Sequence, residues 1–484
     1  MSLPVGTLLA WTLVRSDLPG RRMALTLMGT LLFIPLYLQA AAWQGWVGLQ
    51  GWCIVAFGVP DWLAPWLGAV WVHSLAALPW VVLIVGAGFW LVEPELEEQA
   101  LLDASPGQVF LRVTLPSALA ALGVAALWVL VVTAGEMTVT DLFGVRTYAE
   151  EVYTQFAGAP EPDEGPLGVL PGVYVTAALV LAGLAVCARL APGDRPISFR
   201  QRPVFRLASW RWPTAIFVAA VLLVLVGLPL GNLCYKAGLL VTLTETGRLR
   251  TWSVWKCLTI LVASPGRHPR EFGWSLGIGA LAATAALAAG TVLAWVARRS
   301  RVRALLVLTG AAVCLAVPGP VLGLAVIWLL NRPGWPVLDF LYDQSIFAPW
   351  LVLFLRGLPL AMLIMVHALR TVPQEMMDCA AVDGAGPLVR LCRIALPCRV
   401  PALALAWLAA FAVALADLAA SILVVPPGMP TLSIRIFGLL HSGVEDRVAG
   451  ICLAQAALFA VLGAVMAWLA RRWQREPARQ ESGP

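Results

Sequence analysis

Long apolar runs separated by short polar stretches dominate the pattern of this chain. They cover 23–43, 66–92, 117–134, 168–189, 212–233, 274–297, 303–330, 346–371, 399–424 and 447–470. A helix rises about 1.5 Å per residue, so roughly 20 apolar residues cross a bilayer, and each run predicts one spanning helix. A shorter run, 2–14, ends at Arg15. The Gly- and Trp-rich segment 46–59 stops at Pro60-Asp61 and predicts an interfacial or re-entrant piece. The expected fold is therefore all-α and polytopic, with about 11 spans.

Composition sharpens this picture. The 484 residues are 60% hydrophobic and 12% charged, with mean hydropathy +0.84. Soluble domains average about 45–50% apolar and about 25% charged, so composition argues against a water-soluble enzyme. The net charge of +6 is carried almost wholly by arginine, because Lys236 and Lys256 are the lysines. These arginines lie between apolar runs rather than along one face, which argues against a nucleic-acid partner and for a lipid bilayer. The nine cysteines show no CxxC pair, and His73, His268, His367 and His441 are scattered. No metal site is expected from such spacing.

Arginines also orient the spans. They cluster at Arg15/Arg21/Arg22, from Arg189 to Arg211, at Arg298/Arg299/Arg301/Arg303 and at Arg471/Arg472/Arg475/Arg479. The positive-inside rule puts these clusters in the cytoplasm. Two or four runs separate consecutive clusters, so the assignment is self-consistent. Loops 93–116 and 372–397 then face the cytoplasm, as does the C-terminus, and loops 135–165, 234–273, 331–345 and 425–446 face outward. Most of the 22 tryptophans fall near run ends and outer loops, as interfacial anchors do.

The chain repeats itself. Gly6-Thr7-Leu8-Leu9-Ala10-Trp11 returns as Gly290-Thr291-Val292-Leu293-Ala294-Trp295, Leu78-Pro79 as Leu358-Pro359, and Leu115-Pro116 as Leu396-Pro397. Thr147 and Val152 return as Thr431 and Ile436. The matches keep their order, which marks two tandem modules, 1–190 and 212–484, joined by a basic cytoplasmic linker at 191–211. Six spans separate corresponding loops, so the halves run parallel, related by an axis along the membrane normal. The first half begins inside its Gly-Thr-x-Leu-Ala-Trp segment, which predicts either a helix upstream of Met1 or one span fewer in that half.

Both repeated cytoplasmic loops have the same build. In each, acids open a short helix, a turn follows at Ala104 or Gly384, and a second helix ends in Leu-Pro. Small Ala100, Ala380 and Ala381 permit close approach by a partner, and a helix held outside the membrane suits docking in another protein's groove.

This pattern resembles the EAA loop of ABC importer permeases, roughly Glu-Ala-Ala, three residues, Gly, then Leu-Pro. The second loop matches through Asp378, Ala380, Ala381, Asp383, Gly384, Leu396 and Pro397, with Asp378 where Glu is usual. The first is a degraded copy: Glu98, Gln99, Ala100, Asp103, Ala104, Leu115 and Pro116. Over nearly the full chain the resemblance is to fused, two-module permeases of the iron(III) type, with the MetI-like fold of type I importers. It extends to Gly135-Glu136 through Tyr153, and to Asp417 through Pro426-Pro427-Gly428, Thr431–Phe437 and His441–Gly443. The resemblance implies a bacterial inner-membrane pore subunit with two ATPase subunits below and a periplasmic binding protein above. Iron(III) is the cargo it favours. Thiamine or another small solute is the alternative, and a secondary transporter with parallel repeats is a different class.

No ATPase site is expected within the chain. A phosphate-binding loop needs Gly-Lys-Ser/Thr, whereas Lys236 follows Tyr235 and Lys256 follows Trp255. ATP and Mg would therefore be held by partner subunits, and this chain would carry no cofactor and no catalytic residue. Ionisable groups inside spans are costly and usually face a bundle interior or a water-filled path. Glu136 and Asp417 each lie 20 residues beyond their Leu-Pro proline. With Arg356 they are the candidate pathway residues, and an interhelical ion pair to Arg356 is the structural alternative. His73 and His367 also lie in spans, the latter as a gate or packing residue. Thr431 to His441 are candidates for contact with the binding protein.

Overall fold

The computed structural model describes all residues except 33, 48–64, 159–164, 191–204, 245–246, 333, 443–444 and 481–484. The fold is all-α and polytopic. Among the described residues, six helices are long and apolar enough to cross a membrane: Pro65–Leu91, Ala208–Gly238, Pro269–Ala297, Phe347–Arg370, Pro397–Ala416 and Asp446–Leu469. Counting bent helix pairs as single spans raises this to 9. A two-stranded antiparallel hairpin, β1 Leu239–Thr244 and β2 Gly247–Trp252, is the one sheet among these residues. The interfacial segment expected at 46–59 lies almost wholly outside them.

The chain forms two compact units, one of Met1–Glu150, Tyr174–Val262 and Val444–Ala456, the other of Glu151–Val173, Ala263–Gly443 and Ala457–Pro484. In the first, helices Ser2–Arg15, Pro65–Leu91 and Leu119–Ala134 carry two buried clusters. One contains Leu9, Leu13, Val72, Leu75 and Leu78, and the other Ala10, Val81, Val85, Phe89 and Ala125. In the second, the repeat-related helices Pro269–Ala297, Phe347–Arg370 and Val400–Ala416 bury Ala294, Ala297, Met365, Leu369 and Ala406 together.

The two glycines of the repeated Gly-Thr-x-Leu-Ala-Trp segments each sit at a close helix crossing. A Cβ on Gly290 would lie 3.0 Å from the Met362 backbone nitrogen and 3.1 Å from the Ala361 carbonyl carbon. At the equivalent Gly6 it would lie 2.5 Å from Val81 Cγ1. Ala361 and Val81 each follow their Leu-Pro proline by two residues, so the same small-residue crossing is built in each unit. Such close backbone approach is how helices associate where lipid removes the hydrophobic drive between them.

Helix Ala208–Gly238, which opens the second module in chain order, packs within the first unit. Val218 and Leu225 share a buried cluster with Met28, Ala40 and Trp43, and Asn232 Nδ2 donates to the Ala42 carbonyl at 2.6 Å.

Three of the expected spans differ in form. The run 303–330 is two helices, Arg301–Ala316 and Gly319–Leu330, bent by 100°. Pro318-Gly319-Pro320 supplies the reason: proline disfavours helix at the residue before it and lacks the N–H that would continue the ladder. Helices Arg21–Leu31 and Leu36–Trp46 likewise meet at 101°, across Pro35. The run 399–424 is helical only to Ala416, because Asp417 adopts ψ 130° and the chain turns over 418–424. Hydropathy alone did not separate the first two bends from straight spans, because prolines and glycine hardly lower the average of an apolar run.

Candidate functional site

The two Leu-Pro loops share a local design. In the first, Glu93 precedes helix Pro94–Asp103, whose first turn carries Glu95 and Glu97, complementing the positive end of the helix dipole. The chain turns at Ala104, and Ser105 and Gln108 form a reciprocal capping box that starts the next helix. In the second, helix Gln374–Val382 ends at Asp383, and Gly384 sits at φ +80°, which favours a residue with no Cβ. The Ala385 N–H then bonds the Ala380 carbonyl at 2.9 Å, closing the helix end.

After the turn, both second helices contain a wide turn, Phe110–Thr114 and Leu391–Ala395, directly before Leu115-Pro116 and Leu396-Pro397. The Leu115 and Leu396 N–H groups bond the carbonyls of Phe110 and Leu391, five residues back. Such widened turns insert one residue into a helix and recur at functional positions. The sequence shows the prolines but not this wide turn, which depends on backbone registration.

Of the motif residues, Gln99, Asp103, Asp378, Ala381, Asp383 and Gly384 are exposed; Glu98, Ala100 and Ala104 are half-buried, and Ala380 is buried. Exposed beside them are two residues that motif reading passes over. Leu102 is 84% and Val382 88% exposed, the two highest values among the large hydrophobic side chains of the described residues. They are the same position of the repeat, two residues before Ala104 and Gly384. Each tips its loop with an apolar knob flanked by an aspartate, Asp103 or Asp383.

The inner sides of the two loops are held differently. In the first, Glu97 is fully buried, ion-paired to Arg15 at the end of helix Ser2–Arg15, and accepts a hydrogen bond from Thr114 Oγ1 at 2.7 Å. Arg15 lies 5.9 Å from the centre of the Phe205 ring, and the Phe205 N–H donates to the Arg15 carbonyl at 2.8 Å. One buried pair thus ties together the first helix, the loop and the end of the basic linker. In the second, the position of Glu97 is taken by Met377, buried among Val372, Leu369 and Leu391. Here Arg298 caps the helix preceding the loop, donating to the carbonyls of Leu369 at 2.9 Å and Val372 at 3.2 Å. Burial presses the pKa of Arg298 down, nearby Arg299 and Arg390 act the same way, and Asp378 opposes them.

The candidate pathway groups are engaged. Glu136 accepts from the backbone N–H groups of Thr138 at 2.7 Å and Val139 at 2.9 Å, with His73 Nε2 3.8 Å away. Asp417 accepts from Arg356 Nε at 3.2 Å and from the Ser421 N–H at 3.0 Å. In each unit a carboxylate at the end of the helix after Leu-Pro caps the turn that follows, and it lies near a histidine (His73) or pairs with an arginine (Arg356) on the preceding repeat helix. His73 stands six residues before Pro79 and Arg356 three before Pro359, one helical turn apart in the repeat frame. This is the interhelical pairing weighed against a cation site, with Arg356 as the partner. Ser433 Oγ donates to the Asp417 carbonyl at 2.9 Å, the Leu432 N–H to Ser275 at 2.7 Å, and Arg435 approaches Glu271 at 3.6 Å. These bonds seat helix Leu432–Ser442 on helix Pro269–Ala297; the His441 side chain lies outside the described residues.

Comparison with known proteins finds relatives over part of the chain. The putrescine transport system permease protein PotI of Escherichia coli (strain K12) is 28% identical over 216 residues, 43% of this chain and 74% of the relative. The protein of the same name from Escherichia coli O6:H1 (strain CFT073) aligns equally well. Residues 286–476, which contain the whole second Leu-Pro loop and the helices that hold it, match the family described as binding-protein-dependent transport system inner membrane component.

Proposed function

We propose that this chain is the membrane-spanning permease subunit of an ATP-driven importer in a bacterial inner membrane, with both Leu-Pro loops and the C-terminus in the cytoplasm. Each loop would dock on one of two ATPase subunits, Leu102 and Val382 entering apolar pockets and Asp103 and Asp383 meeting basic groups at the rim. ATP-driven closure of those subunits would move the loops and switch the halves between inward- and outward-facing states as packed bodies. A periplasmic binding protein would deliver the cargo. The observation that carries this reading is the pair of loops, one in each unit, that share a short helix, a turn, a wide helical turn and Leu-Pro, the second lying within the family match.

For the cargo, the fused two-module resemblance favours iron(III). The relatives named for putrescine support a second reading, a small organic cation. Selection would fall largely to the binding protein, because Glu136 is already engaged by the N–H groups of Thr138 and Val139, and Asp417 by Arg356 and the Ser421 N–H. The test is co-purification with the candidate ATPase, followed by Asp383→Lys and Asp103→Lys. Loss of ATPase association or of vesicle uptake by about tenfold or more, equivalent to about 1.4 kcal/mol, is expected. Uptake that persists without any ATPase subunit, and survives both reversals, would instead identify an ion-driven secondary transporter.

A further inference from the structure

The hairpin formed by β1 and β2 leads directly into helix Val254–Arg267, which belongs to neither Leu-Pro loop. This helix is two-faced. Trp255 is 79%, Leu258 49% and Val262 78% exposed, at the i, i+3, i+7 spacing of one helical stripe, while Cys257 and Ile260 on the opposite side are buried. Trp252 and Val254 extend the exposed apolar stripe at its start. Its roll about the axis is fixed. Lys256 Nζ donates to the Leu239 carbonyl at 2.6 Å and pairs with Asp446 at 3.2 Å, so the Trp255 side is held outward.

Connectivity sets the depth. Only His268, with φ −125° and ψ 47°, separates this helix from the spanning helix Pro269–Ala297. The end at Arg267 is therefore one residue from the helix whose apolar run, from 274, enters the membrane, which sets the apolar stripe beside the boundary where that span begins. Arg267 and Arg270 bracket that junction, and both are exposed. An exposed stripe of Trp, Leu and Val with arginines at the headgroup level has the make-up of a helix lying in the interface plane.

We propose that helix Val254–Arg267 lies in the membrane interface, in the leaflet where helix Pro269–Ala297 begins. Trp255, Leu258 and Val262 enter the boundary between headgroups and acyl chains, and Arg267 and Arg270 engage anionic phospholipid headgroups. The helix thereby anchors the hairpin at a set height over the bilayer. This depends on membrane insertion alone and holds for whatever the protein transports.

The full chain, with its native cysteines replaced, is spin-labelled at Leu258→Cys or Val262→Cys and reconstituted in nanodiscs. Variants that elute as monodisperse species are compared by collision with oxygen, which partitions into lipid, and with a water-soluble nickel chelate. Both labels are expected to favour oxygen severalfold, more strongly in phosphatidylglycerol-containing discs than in phosphatidylcholine alone. Preference for nickel at both sites overturns the proposal, since the stripe then faces water and awaits a protein such as the binding protein. Protection from both reagents also overturns it, by placing the stripe against protein.

Discussion

A buried charge is costly to strand, and two ion pairs, Arg15–Glu97 and Arg356–Asp417, would show it. Removing one partner of the Arg15–Glu97 pair leaves the other out of water. Arg15→Met is expected to cost about 3–5 kcal/mol, read as a drop in thermal unfolding temperature in detergent. The double variant Arg15→Met/Glu97→Leu should recover most of that loss, since two apolar groups replace two compensated charges; no recovery would mean the pair is not the main support. The same logic applies to Arg356 and Asp417, where Asp417→Asn also weakens acceptance from the Ser421 N–H. Of these residues, Asp417 and Arg356 were legible as a pair, because a charge within an apolar run needs a partner. Glu97 was not. It stands among Glu93, Glu95 and Glu98, and only the phase of the helix that begins at Pro94 decides which of the four turns inward.

At the level of elements, the Leu-Pro loops make the sharper claims. Gly384→Val places a β-branched side chain at φ +80°, which should cost about 1–2 kcal/mol at the loop and weaken ATPase association while the spans stay folded by circular dichroism. Leu102→Ser and Val382→Ser remove the apolar tips without touching the buried supports. Each is expected to reduce association with the ATPase subunit by about tenfold or more, with unchanged unfolding temperature. A variant that loses stability instead would show that the tip packs against this chain. The short helices and their turn at Gly384 could be read from acids, small residues and glycine. The wide turns at 110–114 and 391–395 could not, because they depend on how Pro116 and Pro397 shift the hydrogen-bond ladder of a helix already formed.

For the molecule as a whole, the decisive expectation is sidedness. Cys379 is exposed on the second loop, and a Leu102→Cys variant adds an exposed thiol on the first. Both should react with an impermeant maleimide in inside-out vesicles and resist it in right-side-out ones. Reaction from opposite sides would sink the parallel arrangement of the halves. That this is an all-α membrane protein and that it carries two polar Leu-Pro loops were determined by the chain alone, because each depends on residue type at local spacing. Only the tertiary structure decided that helix 208–238 packs within the first unit, that two apolar runs break at Pro35 and Pro318–Pro320, and that Arg15 grips Glu97 from across the loop. These outcomes join residues far apart in sequence or turn on which of several near-equal local conformations the surrounding helices accept. Hydropathy averages over a window, whereas packing discriminates between single side chains.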